Sequence, residues 1–393
     1  MYHCVPCSRA RLRIPADYIA SQHVTKTRIH LIAAARPNFM KVAPLYHALK
    51  ATDWAEPILI HTGQHYDHNM SDAIFTDLKL PAPDFHMGIG SGTHAQQTGG
   101  VMIAYEKICQ EHRPDWIIVV GDVNPTAACA MVGAKMWIPV VHLEAGLRSG
   151  DRRMPEEINR LVTDAIADVL WTPSADANEN LVREGVDPGR IDMIGNIMID
   201  SFEMLRDKID ASTAREELGL QGKPYGLATL HRPSNVDEAD TLTPIVEALT
   251  TAADDLPLVF VAHPRTIASL ERLGLKDKLT GSDTVQLLEP LPYIKFMNVV
   301  TGSKVVITDS GGLQEETTYL GIPCLTMRQN TERPITSTIG TNRLVRADNL
   351  AENLAKVMAG DWPHGVCPPL WDGKTAIRAV ESLKRRLEEK EKP

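Results

Sequence analysis

The sequence predicts an α/β protein with two doubly wound parallel sheets. Three observations point there. From Arg28 onward, short runs rich in β-branched residues alternate with amphipathic helical stretches. Several runs, Trp116 to Val120 and Val305 to Ile307 among them, are apolar on both faces, as strands covered by helices on either side must be. Polar and charged residues gather directly after these runs, at the strand ends where open α/β sheets bind ligands.

The expected strands follow in order. A first series comprises Arg28–Ala34, Pro57–His61, Asp115–Val120, Val140–Leu143 and Val169–Thr172. A second comprises Ile191–Ile194, Tyr225–Leu230, Leu258–Ala262, Val285–Leu288, Lys304–Thr308 and Pro323–Thr326. His94–Gln110 and Leu242–Ala253 have the 3.6-residue spacing of amphipathic helices, and Pro155 suits the first position of another, with Ile158, Leu161, Val162, Ala165 and Ile166 as its expected core stripe. The strands are too many for one compact sheet. A stretch poor in apolar residues near Asp200–Lys223 suggests a break, with the hinge at Gly195–Ile199. Thr375–Lys392 reads as a charged helix whose Ile377, Val380, Leu383 and Leu387 stripe should dock on the rest of the chain. The expected units are an N-terminal extension over 1–27, a first domain over 28–196, a second over 197–372 and the terminal helix over 373–393.

The 393 residues allow roughly two or three domains with sizeable cores. A formal net charge of -9 argues against a general electrostatic grip on nucleic acid, while a local basic patch can still hold a small anion. No apolar run approaches a bilayer span, so a soluble protein with no membrane partner is expected. Cys4 and Cys7, with His3 beside them, lack a second pair at zinc-ribbon spacing. Cys109, Cys129, Cys324 and Cys367 sit in apolar contexts that predict buried reduced thiols in a cytoplasmic protein. Residues 1–27 carry several arginines but no apolar signal core, and a flexible extension is expected there.

Asp309 to Glu316 runs from a buried strand into a helix. Its Ser310, Gly311 and Gly312 let backbone approach an anion such as a diphosphate, and Glu316, one turn in, could accept from ribose hydroxyls. Arg36 and Lys41, just beyond the first strand, could neutralise phosphate, and Arg333 could add another positive charge. Asp122 and Glu144 end apolar strands, where burial would raise a carboxylate towards the acid/base range; Glu156 and Arg160, four apart on one helix, are close enough to pair. His231 ends a strand of the second half and could face the same cleft. There is no phosphate loop of the Walker type, no nucleophile elbow and no glycine-rich dinucleotide fingerprint, so no cofactor is expected. No metal is expected either, since Gly63 breaks the helix that His61, His65 and His68 would need.

Taken together, these segments resemble the non-hydrolysing UDP-N-acetylglucosamine 2-epimerases. The resemblance rests on Ala35 to Leu45, Gly63 to His65, Gly121 and Asp122, His142 to Arg148, Pro155 to Arg160, His231 and Arg232, Thr308 to Glu316, and Thr331 to Pro334, spanning roughly Arg28 to Leu383 in order. It implies two Rossmann-like domains facing across a deep cleft, the glycosyltransferase-B arrangement, with the terminal helix crossing back to the first domain. It also implies inversion at C2 of UDP-GlcNAc to UDP-ManNAc without NAD, in a homodimer. In the family UDP is eliminated to leave a 2-acetamidoglucal, which is reprotonated on the opposite face as UDP adds back; the product would supply cell-envelope polysaccharide synthesis.

Carried over residue by residue, Asp122, Glu144 and Glu156 become the acid/base candidates, with Arg160 orienting them. His231, Arg36 and Lys41 would serve the substrate and its leaving diphosphate. Ser310, Gly311 and Gly312 would hold phosphate, Glu316 the ribose, Leu291 and Phe296 the uracil region, and Arg333 would complete the nucleotide end. Ala35 and Asn38 stand where many members have Thr and Glu. Met87 to Gln97 does not resemble the loop with which some bacterial members bind a second, activating UDP-GlcNAc, so weak or absent activation is expected. A glycosyltransferase would leave the carboxylate cluster idle, and a UDP-sugar sensor would not need it. A hydrolysing epimerase is a further rival, and a modified substrate such as a 2,3-diacetamido uronic acid stays open.

Overall fold

The computed structural model describes residues 26–34, 36–63 and 75–390. The expectations for residues 1–25, including Cys4 and Cys7, and for Gln64, His65 and His68 lie outside them. Strands β1 (Thr27–Ala33), β2 (Ala55–His61), β3 (Phe85–His86), β4 (Trp116–Val120), β5 (Val140–Leu143), β6 (Val169–Thr172) and β7 (Ile191–Met193) make one parallel sheet, in the order β3-β2-β1-β4-β5-β6-β7. Strands β8 (Gly226–Thr229), β9 (Leu258–Val261), β10 (Val285–Leu288), β11 (Val305–Thr308), β12 (Cys324–Met327) and β13 (Asn342–Val345) make a second, in the order β10-β9-β8-β11-β12-β13. Every residue of β4, β5, β6, β11 and β12 is buried, which explains why Trp116 to Val120 and Val305 to Ile307 are apolar on both faces.

Strand order reverses between β1 and β4 and again between β8 and β11. At such switch points the connections leave on opposite faces and open a crevice at the carboxyl ends. Parallel register (Ile29 opposite Trp116, Val305 opposite Gly226) brings the ends of each pair to one edge. Two strands have no clear sequence signal: β3 is two residues long, and β13 carries Asn342 and Arg343 at a sheet edge. Strand β7, grouped by sequence with the second series although it lies within 28–196, pairs with β6 in the first sheet.

The helices that position the cleft are α1 (Arg36–Lys50), α2 (His94–Glu111), α3 (Asn124–Lys135), α4 (Pro155–Ile166), α5 (Ile197–Asp210), α6 (Tyr293–Gly302), α7 (Gly311–Leu320) and α8 (Thr375–Lys390). Asp200–Lys223 is not the apolar-poor break it resembles. Helix α5 buries Ile197, Ile199, Phe202, Leu205 and Ile209 and packs against α1, α6, α7 and α8, so it forms the core shared by the two sheets. Each such side chain stabilises by about 1.5–3 kcal/mol on full burial. Charged residues on its other face mask the spacing. Gly195, just before α5, has φ +95°, and a Cβ there would stand 2.2 Å from the Leu370 carbonyl oxygen.

Helix α8 docks on α1, α5 and the edge of the first sheet. Asp200 accepts from the backbone N–H of Thr375 (3.1 Å) and Ala376 (2.7 Å), while Ser382 accepts from Trp171 Nε1 (2.8 Å) and donates to Asp192 (2.7 Å). Its buried face is Ala376, Ala379, Val380 and Leu383; Ile377, expected on that face, is 54% exposed. Helix α4 is a second correction. It buries Glu157, Arg160, Thr163 and Asp164, and leaves Ile158 exposed, because its polar side faces the charged crevice. Cys109, Cys129 and Cys324 are buried thiols, but Cys367 is exposed. Among the described residues no helix is long and apolar enough to cross a membrane.

Candidate active site

The first-sheet side of the crevice is built from strand ends. Helix α1 carries Lys41 one turn in, and Asn38 Nδ2 ties that helix to the Val120 carbonyl (3.1 Å). Gly121 and Asp122 follow β4, and Glu144 follows β5 with φ +72°, a left-handed conformation that a non-glycine residue adopts only when its surroundings enforce it. Beneath them lies a buried strut. His142 Nε2 contacts the Gly121 carbonyl (2.8 Å), its Nδ1 contacts Asp164 (2.6 Å), and Asp164 accepts the Gly146 N–H (3.0 Å), so one pair braces both carboxylate-bearing turns.

Lys41 Nζ donates to Glu144 Oε2 in a very short bond. Glu144 is 5% exposed, and its other oxygen, Oε1, is buried with no hydrogen-bond partner among the described residues. Asp122 receives Arg160 Nε (3.1 Å) and Nη2 (2.7 Å). Burial pushes the Asp122 carboxyl up, but Arg160, Lys41 and Arg333 more than reverse this and hold it below the ordinary range. The expected upward shift therefore fails for Asp122, because a buried cation stands beside it. Arg160 does not pair with Glu156. Its second partner is Glu157 (2.6 Å), which also accepts from Ser149 and Gly150. Glu156 is half-buried in the first turn of α4 and has no hydrogen bond or ion pair among the described residues.

The second-sheet side is different in kind. Ser310 makes no side-chain cap on α7, so the first N–H groups of that helix are left for another acceptor. Gly311 packs against Arg333: a Cβ there would lie 2.8 Å from Nη1. Arg333 is itself held by Glu315 (2.7 Å) and Glu332 (2.8 Å). Glu316 accepts from the Tyr293 hydroxyl (2.6 Å); burial and the neighbouring Glu315 push it up to about 7 against that bond. Burial likewise raises Glu315, with Glu144 adding to the effect and Arg333 opposing it.

A cavity of about 450 Å³ opens between the two sides. Lys41, His231, Leu291, Phe296, Ser310, Gly312, Glu316 and Arg333 line it, all of them singled out in the sequence. Glu144 bonds Lys41, Asp122 lies within reach of the Lys41 charge and is held by Arg160, and Gly311 lies behind Arg333. Arg36 opens α1; its side chain lies outside the description. Sequence reasoning missed Tyr293, Glu315 and Met198 as lining residues. Tyr293 follows Pro292 at the start of α6 and Glu315 adjoins Glu316, but only the folded register points them inward. Among the described residues no group of His, Cys, Asp and Glu is arranged to hold a metal ion. A cavity with a cation-supported carboxylate on one side and a glycine-rich helix start with an arginine on the other can hold a phosphorylated ligand and move a proton on it.

A family model described as UDP-N-acetylglucosamine 2-epimerase matches residues 47–384. A UDP-N-acetylglucosamine 2-epimerase of Methanocaldococcus jannaschii is 39% identical over 369 residues, covering 91% of this chain and 98% of its own length. A UDP-2,3-diacetamido-2,3-dideoxy-D-glucuronate 2-epimerase of Pseudomonas aeruginosa is 40% identical over 324 residues, covering 81% and 88%. The crystal structure of the M. jannaschii UDP-GlcNAc 2-epimerase in complex with UDP-GlcNAc and UDP matches with a TM-score of 0.83 and 38% identity, over 91% of this chain and 100% of that one. The two-sheet, glycosyltransferase-B-like fold is shared with it.

Proposed function

Since the chain belongs to the non-hydrolysing UDP-N-acetylglucosamine 2-epimerase family and is an isomerase, we propose that it interconverts UDP-GlcNAc and UDP-ManNAc by inversion at C2. The observation that carries this is Glu144 Oε1: a buried carboxylate oxygen with no hydrogen-bond partner among the described residues, whose twin is held by Lys41, in the crevice opposite the α7 start. A C2–H bond needs such a base, and the departing diphosphate needs the cations and N–H donors on the facing side.

In this reading a carboxylate takes the C2 proton while the C1–O bond breaks, its electron pair leaving with UDP, so that a 2-acetamidoglucal remains. A second carboxylate returns a proton to the opposite face as UDP adds back. Glu144 and Asp122 fill these two roles, with Glu156 a third candidate, and Arg160 orients Asp122. Arg36, Lys41, His231 and Arg333 neutralise the diphosphate, which rests on Ser310, Gly311 and Gly312. Glu316 accepts from the ribose, and Leu291 and Phe296 flank the uracil. No step calls for NAD. The product feeds cell-envelope polysaccharide synthesis in the cytoplasm.

The test is to incubate the protein with UDP-GlcNAc alone and follow the anomeric signals by proton NMR. UDP-ManNAc appearing to a fixed ratio supports the reading, whereas free ManNAc with UDP contradicts it. The P. aeruginosa relative favours one second reading, a 2,3-diacetamido uronic acid as the sugar; a kcat/KM at least tenfold higher on that UDP-sugar would establish it. We also propose a homodimer. Ile103 (76% exposed) on α2 and Ile158 on α4 present apolar surface from the helices flanking α3. Light scattering should give twice the chain mass, and Ile158→Asp should lower it towards one chain.

A further inference from the structure

His231 follows β8 and Asp309 follows β11, so neighbouring strands deliver the two side chains to one edge. Asp309 is fully buried, and its oxygens meet only donors. The His231 backbone N–H lies 3.1 Å from each oxygen, the Arg232 N–H is at 2.9 Å, and the Asn235 amide is at 3.0 Å. His231 Nδ1 stands 3.0 Å from Oδ1. Burial pushes the Asp309 carboxyl up, but these donors, the imidazole foremost, bring it below its ordinary range. An ionised carboxylate has no proton to give, so the hydrogen between the two groups sits on Nδ1. The other nitrogen, Nε2, is left to the cavity that His231 lines with Ser310 and Arg333.

We propose that Asp309 is a positioning residue that holds His231 in its Nδ1–H form, so that Nε2 meets an anionic ligand only after taking up a proton. In the neutral form Nε2 presents a lone pair, which repels a phosphate oxygen. Once protonated it becomes a charged donor, and Asp309 balances the charge. Diphosphate binding therefore favours the protonated ring over the neutral one. The choice of UDP as probe rests on the epimerase reading; the placement of the proton does not.

Lys41, Glu315, Glu316 and Arg333 face the same cavity, and Arg232 and His263 flank the ring, His263 with its ring centre 6.1 Å away. These groups are unchanged across the comparison that tests the proposal. UDP affinity is measured by calorimetry between about pH 6 and 8.5 for the full chain, for His231→Asn and for Asp309→Asn. The wild type should lose about tenfold more affinity over that range than His231→Asn does. Asp309→Asn, whose amide turns the ring to Nε2–H, should follow His231→Asn. An Asp309→Asn profile that follows the wild type, or a wild type no steeper than His231→Asn, overturns the proposal.

Nitrogen-15 NMR of the wild type decides the same point without a variant or a ligand. The neutral His231 ring should carry its proton on Nδ1, and a proton on Nε2 overturns the proposal. Should UDP fail to bind at all, the epimerase reading falls while this spectrum still decides where the proton sits.

Discussion

The two sides of the cleft bury carboxylates to opposite effect. On the first, Asp122 has Arg160 beside it and is held ionised below the usual range. On the second, Glu316 accepts from the neutral Tyr293 hydroxyl and, with burial and Glu315 against that bond, is pushed up to about 7. Desolvation acts on both in the same direction, so the partner decides the sign. At Asp122 the cation outweighs burial and at Glu316 the neutral donor does not, while Glu315 stays raised despite Arg333 because Glu144 adds to its burial. In the proposed reading the first side keeps its charges fixed for proton transfer, and the second keeps a carboxylate poised to accept from a neutral ligand hydroxyl.

The largest effect should come from Glu144→Gln, which keeps shape but loses a proposed acid/base group. Turnover is expected to fall about 10³-fold while UDP affinity, read by calorimetry, changes less than about threefold. A parallel loss of both would merge the two sides into one. Arg160→Met attacks the fixed charges instead. It removes the cation bonded to both Asp122 and Glu157 and should destabilise by about 3–5 kcal/mol in denaturant unfolding at pH 7. Both carboxyls are held low by their donors, so this contribution is present above their ordinary values and fades as pH falls through the lowered ones.

Glu316→Gln should have the opposite sign. Glu316 binds a proton in the folded state between its ordinary value and about 7, so its ionisation costs stability increasingly as pH rises across that window. The variant should gain roughly 3 kcal/mol at pH 8, with the gain vanishing near pH 4, while UDP affinity falls about tenfold. An affinity unchanged by this substitution would remove Glu316 from the nucleotide end. The smallest expected effect is regulatory: added UDP-GlcNAc should change the initial rate from UDP-ManNAc by less than about twofold, since Met87 to Gln97 does not resemble the activating loop.

The sequence disclosed the two sides unequally. Strands buried on both faces, such as β4 and β11, were legible because nothing polar interrupts them, and the residues after them led directly to Lys41, Asp122, Glu144 and Ser310. Helices that serve the interior were not. Helix α5 looks like a break because its charged face dominates the count, and α4 suggests the wrong core because it turns its carboxylates and arginine inward. Partner choice was equally hidden: helical spacing pairs Glu156 with Arg160, but the turn at Ser149 and Gly150 draws in Glu157 instead. Pattern reports periodicity; it does not report which face a charged crevice will claim.

In the proposed reading the first side moves the C2 proton while the second holds the nucleotide. The most direct test of that reading is deuterium incorporation at C2 of UDP-GlcNAc in D2O, comparing the wild type with Glu144→Gln at saturating substrate. Incorporation should be rapid for the wild type and about 10³-fold slower for the variant, with UDP affinity intact. Incorporation at the wild-type rate by Glu144→Gln, or turnover by the wild type without deuterium at C2, would contradict it.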